Sequence, residues 1–128
     1  MSDEKYTIML VDDEDDILFA LEGALEDEYN IITANSGEEA LIKIEEEDFE
    51  LIICDMRMPG IQGYDVLKAV VEKDESVRRI LLTGFSDLES AKAAINLGKI
   101  HQHESKPLDL DKLTKIIESE LKEYEKGA

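Results

Sequence analysis

Short apolar runs alternate with helical patterns five times along this chain, and that alternation leaves few architectures open. The runs are "YTIMLV" at 6–11, "NIITA" at 30–34, "ELIIC" at 50–54, "RILLT" at 79–83 and a weaker "IHQHES" at 100–105. Each is followed by apolar residues spaced for one face of a helix. The first helical set is Ile17, Leu18, Leu21 and Leu25; the second is Ala40, Leu41 and Ile44. The third is Val66, Leu67, Val70 and Val71; the fourth is Leu88, Ala91, Ala94 and Ile95. The last is Leu110, Leu113, Ile116, Ile117 and Leu121. Ser36 with Glu39 and Ser86 with Glu89 have the spacing of capping boxes. Asp109 suits an N-cap, and Gly98 suits a C-terminal stop.

The first, third and fourth runs are apolar at consecutive positions, as central parallel strands covered on both faces should be. The pattern therefore predicts an α/β fold: (βα)5, a doubly wound five-stranded parallel sheet with helices on both sides and right-handed crossovers. A length of 128 residues suits one domain, with its core over about 6–124. Hydrophobic residues at 43% are enough for a packed interior.

Charge narrows the function classes. Fourteen basic residues against 32 acidic ones give a net charge of -18. That sign argues against direct nucleic-acid binding, which draws on Lys and Arg contacts to phosphates. It suits cations or basic protein partners. No apolar run approaches the length of a membrane helix, and the start "MSDEKYTI" lacks the pattern of a signal peptide. The single cysteine, Cys54, fits a reducing compartment. A cytoplasmic protein is expected.

In an open parallel sheet, ligands sit beyond the carboxyl ends of the strands. Asp12 and Asp13 follow the first run, Asp55 follows the third, Thr83 ends the fourth, and Lys106 follows the fifth, before Pro107. Two like charges ~4 Å apart repel by about 4 kcal/mol at an effective dielectric near 20, and a divalent cation reverses that sign. An all-oxygen set favours magnesium, or manganese, over zinc. Lys106 then needs an anion, of which a phosphoryl group is the natural choice, with Thr83 donating a hydrogen bond to it. A calcium loop counted from Asp12 fails, because its sixth position is Ile17 and its twelfth is Gly23. The run "DDEDD" instead divides: Asp12 and Asp13 face the site, while Glu14, Asp15 and Asp16 enter a helix whose N-terminus favours acids.

"VDDEDD", "CDMRMPGIQGYD", "LLTGFSD" and "SKPLD" resemble, in order and spacing, the receiver domain of bacterial two-component response regulators, from about Tyr6 to Tyr124. The resemblance implies strand order 2-1-3-4-5, flavodoxin-like. It implies Asp55 as the acceptor of a phosphoryl group from a kinase histidine. It implies magnesium ligated by Asp13, Asp55 and the backbone carbonyl of Arg57, with Asp12 acting through water. Lys106 would hold a phosphoryl oxygen, with a cis bond before Pro107, and Thr83 would turn toward the phosphoryl group. The face of the fourth helix, fifth strand and last helix would then change for a downstream protein target. The implied partners are a sensor histidine kinase or a phosphotransfer protein, and no independent substrate turnover is implied.

Two positions depart from the family pattern. The aromatic switch position, three before the lysine, is His103, and Glu104 stands where receivers usually carry an aliphatic residue. His101 and His103 have the spacing of one strand face. With the chain ending at "EKGA", no DNA-binding output domain is expected within these 128 residues. The competing readings are an aspartyl-nucleophile phosphatase and a receiver-like scaffold that is not phosphorylated. The phosphatase class wants Asp-x-Asp after the first strand, and here the second position after Asp12 is Glu14.

Overall fold

The computed structural model describes residues 5–84, 101–105 and 109–127, with residues 103–105 described by their backbone path. Its elements in order are β1 (Thr7–Val11), α1 (Asp15–Leu25), β2 (Asn30–Ala34), α2 (Gly37–Glu46), β3 (Leu51–Asp55), α3 (Gly63–Lys73), β4 (Arg78–Thr83), β5 (Gln102–Ser105) and a C-terminal helix (Leu110–Gly127). All strand pairs are parallel, in the order β2-β1-β3-β4-β5. This is the doubly wound sheet that the alternation of patterns predicts. The expected fourth helix, with Ser86, Glu89 and Gly98, lies outside the described residues.

Strand alternation divides the core. Ile8, Leu10, Leu51, Ile53, Ile80 and Leu82 meet α1 and the C-terminal helix through Leu18, Leu21, Leu25, Leu113 and Ile117. Met9, Val11, Ile52, Cys54 and Leu81 point the other way, to Ala40 and Ile44 of α2 and Val66, Leu67 and Val70 of α3. All five β3 residues are buried, as the unbroken apolar run requires.

Two lysines finish the exposed ends. Lys43 donates to the Thr33 carbonyl on β2, an edge strand. A lysine on an edge blunts further strand pairing. Lys73 donates to the Ile44 and Glu47 carbonyls, satisfying the C-terminus of α2. At the other end of α2, Ser36 accepts from the Glu39 N–H at 3.1 Å. Glu39 reaches back to the Asn35 N–H at 2.9 Å, one residue before the cap, so the predicted box closes with a shifted partner. Asp109 accepts from the Lys112 N–H at 3.1 Å and caps the C-terminal helix as expected.

Candidate functional site

Three strand ends deliver the candidate site to one edge of the sheet. Beyond β1, the Asp12 N–H still donates to Ala34 at 3.2 Å, which prolongs the strand pairing by one residue. Its Oδ1 accepts from the Glu14 N–H at 2.9 Å, bending the chain into α1. Glu14 is the extended N-cap, and Asp15 and Asp16 occupy the first turn. The acidic run divides as its spacing predicts: two acids precede the cap and the rest serve the helix N-terminus. Asp55 is the last residue of β3, and Met56 after it donates to Leu82 at 2.9 Å. Thr83 is the last residue of β4.

Asp12, Asp13 and Asp55 each place a carboxylate oxygen within 4.8 Å of the others. Asp12 and Asp55 are buried while Asp13 is exposed, so the cluster opens to solvent on one side. Thr83 is fully buried, and its Oγ1 makes no hydrogen bond among the described residues. A buried hydroxyl costs free energy unless something satisfies it. An oxygen-only donor set with one solvent-facing ligand fits a hard divalent cation that keeps some of its water.

The neighbouring Cys54 reports the local field. Burial, reinforced by the charges of Asp55 and Asp12, pushes its thiol well above the usual range. It is a buried strand residue whose Sγ lies 3.3 Å from the Asp55 carbonyl. That environment favours the inert thiol over a reactive thiolate.

The loop from 56 to 62, which leaves β3 at Asp55, is held by two close glycine contacts. At Gly63 a Cβ would lie 2.2 Å from the Asp55 carbonyl oxygen, so only glycine lets α3 begin this close to β3. The Gly63 N–H donates to the Met56 carbonyl at 2.9 Å. At Gly37 a Cβ would lie 2.5 Å from the Ile61 carbonyl oxygen, which brings the loop against the start of α2. Met56 and Met58 pack the loop onto the core beneath it. Arg57 between them is exposed. The Gly37 contact carries no sequence signal, because it joins residues far apart in the chain.

The remaining predicted residues lie across β5. Its register sets His103 opposite Leu81, Glu104 opposite Leu82 and Ser105 opposite Thr83. Glu104 is therefore on the edge strand. His101 precedes the strand, and its Nδ1 accepts from the Arg79 N–H rather than projecting from a sheet face. Lys106 and Pro107 lie outside the described residues.

Comparison with known proteins agrees with this arrangement. Residues 8–118 match the family described as response regulator receiver domain. The hydrogenase transcriptional regulatory protein HoxA of Cupriavidus necator is 35% identical over 91% of this chain, which spans 24% of that protein's length. The sporulation initiation phosphotransferase F of Bacillus subtilis is 31% identical over 94% of this chain and 96% of its own. A CheY-like response regulator receiver domain protein from Methanospirillum hungatei superposes with a TM-score of 0.91 at 28% identity, covering 98% of this chain and 100% of that one. With its fold, its ordered motifs and its acidic cluster all in agreement, the chain belongs to the response regulator receiver domain family, whose members are switches of phosphorylation-dependent signalling.

Proposed function

We propose that Asp55 is the phosphoacceptor of this receiver, and that the convergence of Asp12, Asp13 and Asp55, at the sheet edge where the buried Thr83 ends β4, carries that reading. A carboxylate oxygen of Asp55 attacks the phosphorus of a phosphohistidine. The O–P bond forms as the N–P bond breaks, and the imidazole leaves with the electron pair. Magnesium, or manganese, held by Asp13, Asp55 and the Arg57 carbonyl, with Asp12 acting through water, would offset the negative charge that gathers in the transition state. Lys106 would balance the charge on the phosphoryl oxygens. Thr83 donates its buried hydroxyl to the phosphoryl group, which satisfies the oxygen and draws the end of β4 inward.

The reading extends to the signal. His103, paired beside β4, is the residue through which movement at Thr83 reaches the outer face of β5. The donor is a sensor histidine kinase or a phosphotransfer protein, and the output is a change in affinity for a protein target. The near full-length match to a protein named a phosphotransferase supports transfer between proteins as one such output. The chain acts as one receiver unit over 1–128, without substrate turnover of its own. Its strong negative charge argues against direct contact with nucleic acid. Among the described residues no helix is long and apolar enough to cross a membrane. We place the protein in the cytoplasm, where its donor would present the phosphohistidine.

Incubation with acetyl phosphate and magnesium tests the assignment. Intact mass should show one added phosphoryl group on the wild type and none on Asp55→Asn. An unmodified wild type under those conditions would overturn it.

A further inference from the structure

We propose that Gln62 is a positioning residue for the cation site, acting through the loop that carries the Arg57 carbonyl. This rests on the assignment of that carbonyl as a metal ligand under the proposed function. The Gln62 side-chain amide donates to the Met58 carbonyl at 2.7 Å and to the Gly60 carbonyl at 3.3 Å. One side chain thus ties together two carbonyls of the turn that precedes it. Gly60 has φ +77°, a left-handed conformation that glycine adopts readily and that lets the chain turn sharply between the two carbonyls.

Arg57 stands between two anchored residues. On one side, Met56 is held at both backbone groups, with its N–H on Leu82 and its carbonyl taking the Gly63 N–H. On the other, the Met58 side chain is 2% exposed, and Pro59 after it confines its backbone to extended geometry. Gln62 holds the Met58 oxygen and so fixes the peptide plane that follows Met58, while the Met56 carbonyl fixes the plane before Arg57. Between these two anchors fewer directions are open to the Arg57 carbonyl. A metal ligand's affinity depends on such outer partners as well as on the ligand atom.

Gln62 is itself exposed, so replacing it removes hydrogen bonds without opening the core. Leucine keeps the bulk and loses both donors. Glutamate keeps the shape and sets a carboxylate against two carbonyl oxygens. A magnesium titration followed by amide NMR, with a parallel urea unfolding curve, compares wild type, Gln62→Leu and Gln62→Glu. Amide hydrogen exchange at Gly60 and Ile61 reads the loop directly. Both variants should bind magnesium about three- to tenfold more weakly, with faster exchange at Gly60 and Ile61. The phosphorylation rate at saturating magnesium should stay within about twofold of wild type. Wild-type magnesium affinity in the variants, with or without a lowered urea midpoint, would overturn the positioning role. A wild type that binds no magnesium would overturn the cation site itself, which separates the two failures.

Discussion

His101 and Arg79 hold each other where β5 joins the sheet: the His101 N–H donates to the Arg79 carbonyl at 2.9 Å, and the Arg79 N–H donates to His101 Nδ1 at 3.0 Å. The second bond needs a lone pair on Nδ1, so the imidazole is neutral with its proton on Nε2. That Nε2 lies 3.4 Å from the buried Arg79 guanidinium. Burial first, then the charges of Arg79 and Arg78, bring the His101 pKa from 6.5 down to about 4, against an opposing pull from Glu120.

The pH dependence of stability follows from that direction. Between about pH 4 and 6.5 the unfolded chain binds a proton at His101 that the folded chain refuses. The stabilisation is fully present above pH 6.5 and declines as pH falls toward 4. Compared with His101→Gln, the wild type should lose stability more steeply over that window, by at most about 1.4 kcal/mol per pH unit. Urea unfolding at several pH values checks this, and parallel profiles would refute it.

Glu120 should be the most costly polar residue to remove from the C-terminal helix. It is 3% exposed, and its Oε1 accepts from Arg78 Nε and Nη2, each at 2.8 Å. Its Oε2 accepts from the Gln102 amide at 2.9 Å, so one carboxylate joins the helix to both β4 and β5. Glu120→Ala leaves Arg78 without that partner and should destabilise by about 2–3 kcal/mol. Glu123 pairs with Lys126 at the surface, and Glu123→Ala should cost no more than about 0.5 kcal/mol. Urea midpoints compare the two.

Asp13 and Asp16 are both exposed acids in one run, yet their substitutions should differ. Asp13→Ala removes an oxygen from the cluster and should weaken magnesium binding about tenfold or more. Asp16→Ala removes a charge from the first turn of α1 and should cost about 0.3–1 kcal/mol of stability with little change in magnesium affinity. Calorimetric titration with magnesium separates them; equal losses would remove Asp13 from the site.

Two glycines should respond to alanine with opposite signs. Gly63→Ala drives a Cβ into the Asp55 carbonyl and Met56 Cα, at 2.2 and 2.9 Å, and both are backbone atoms. It should destabilise by about 2–4 kcal/mol and slow phosphorylation by acetyl phosphate. Gly23 lies inside α1 with nothing within 4 Å of an added Cβ. Gly23→Ala should stabilise by about 0.4–1 kcal/mol, read as a raised thermal midpoint.

The strands and helices were legible because each is a local signal. Period 2 and period 3.6 are carried within a few residues, and Leu18, Leu21 and Leu25 are buried as that spacing requires. The boundaries moved slightly, with Asp55 joining β3 and the fifth strand beginning at Gln102 rather than Ile100. The acidic cluster was legible for a different reason: in a parallel sheet all strand ends share an edge, so residues after different strands converge. Chain position alone left the depth of those residues open, and Thr83 proved fully buried.

By itself the sequence determined the five strands and the four helices described between and after them, their two buried faces, the edge on which Asp12, Asp13, Asp55 and Thr83 gather, and the division of the acidic run between that edge and the start of α1. Tertiary structure alone decided the pairings between distant residues: Gly37 against Ile61, Glu120 between Arg78 and Gln102, and His101 on the Arg79 backbone. The physical reason is range. Hydrophobic periodicity and capping are satisfied within one turn or one strand, whereas a close approach, a buried ion pair or an imidazole hydrogen bond exists only after packing has brought two distant segments together.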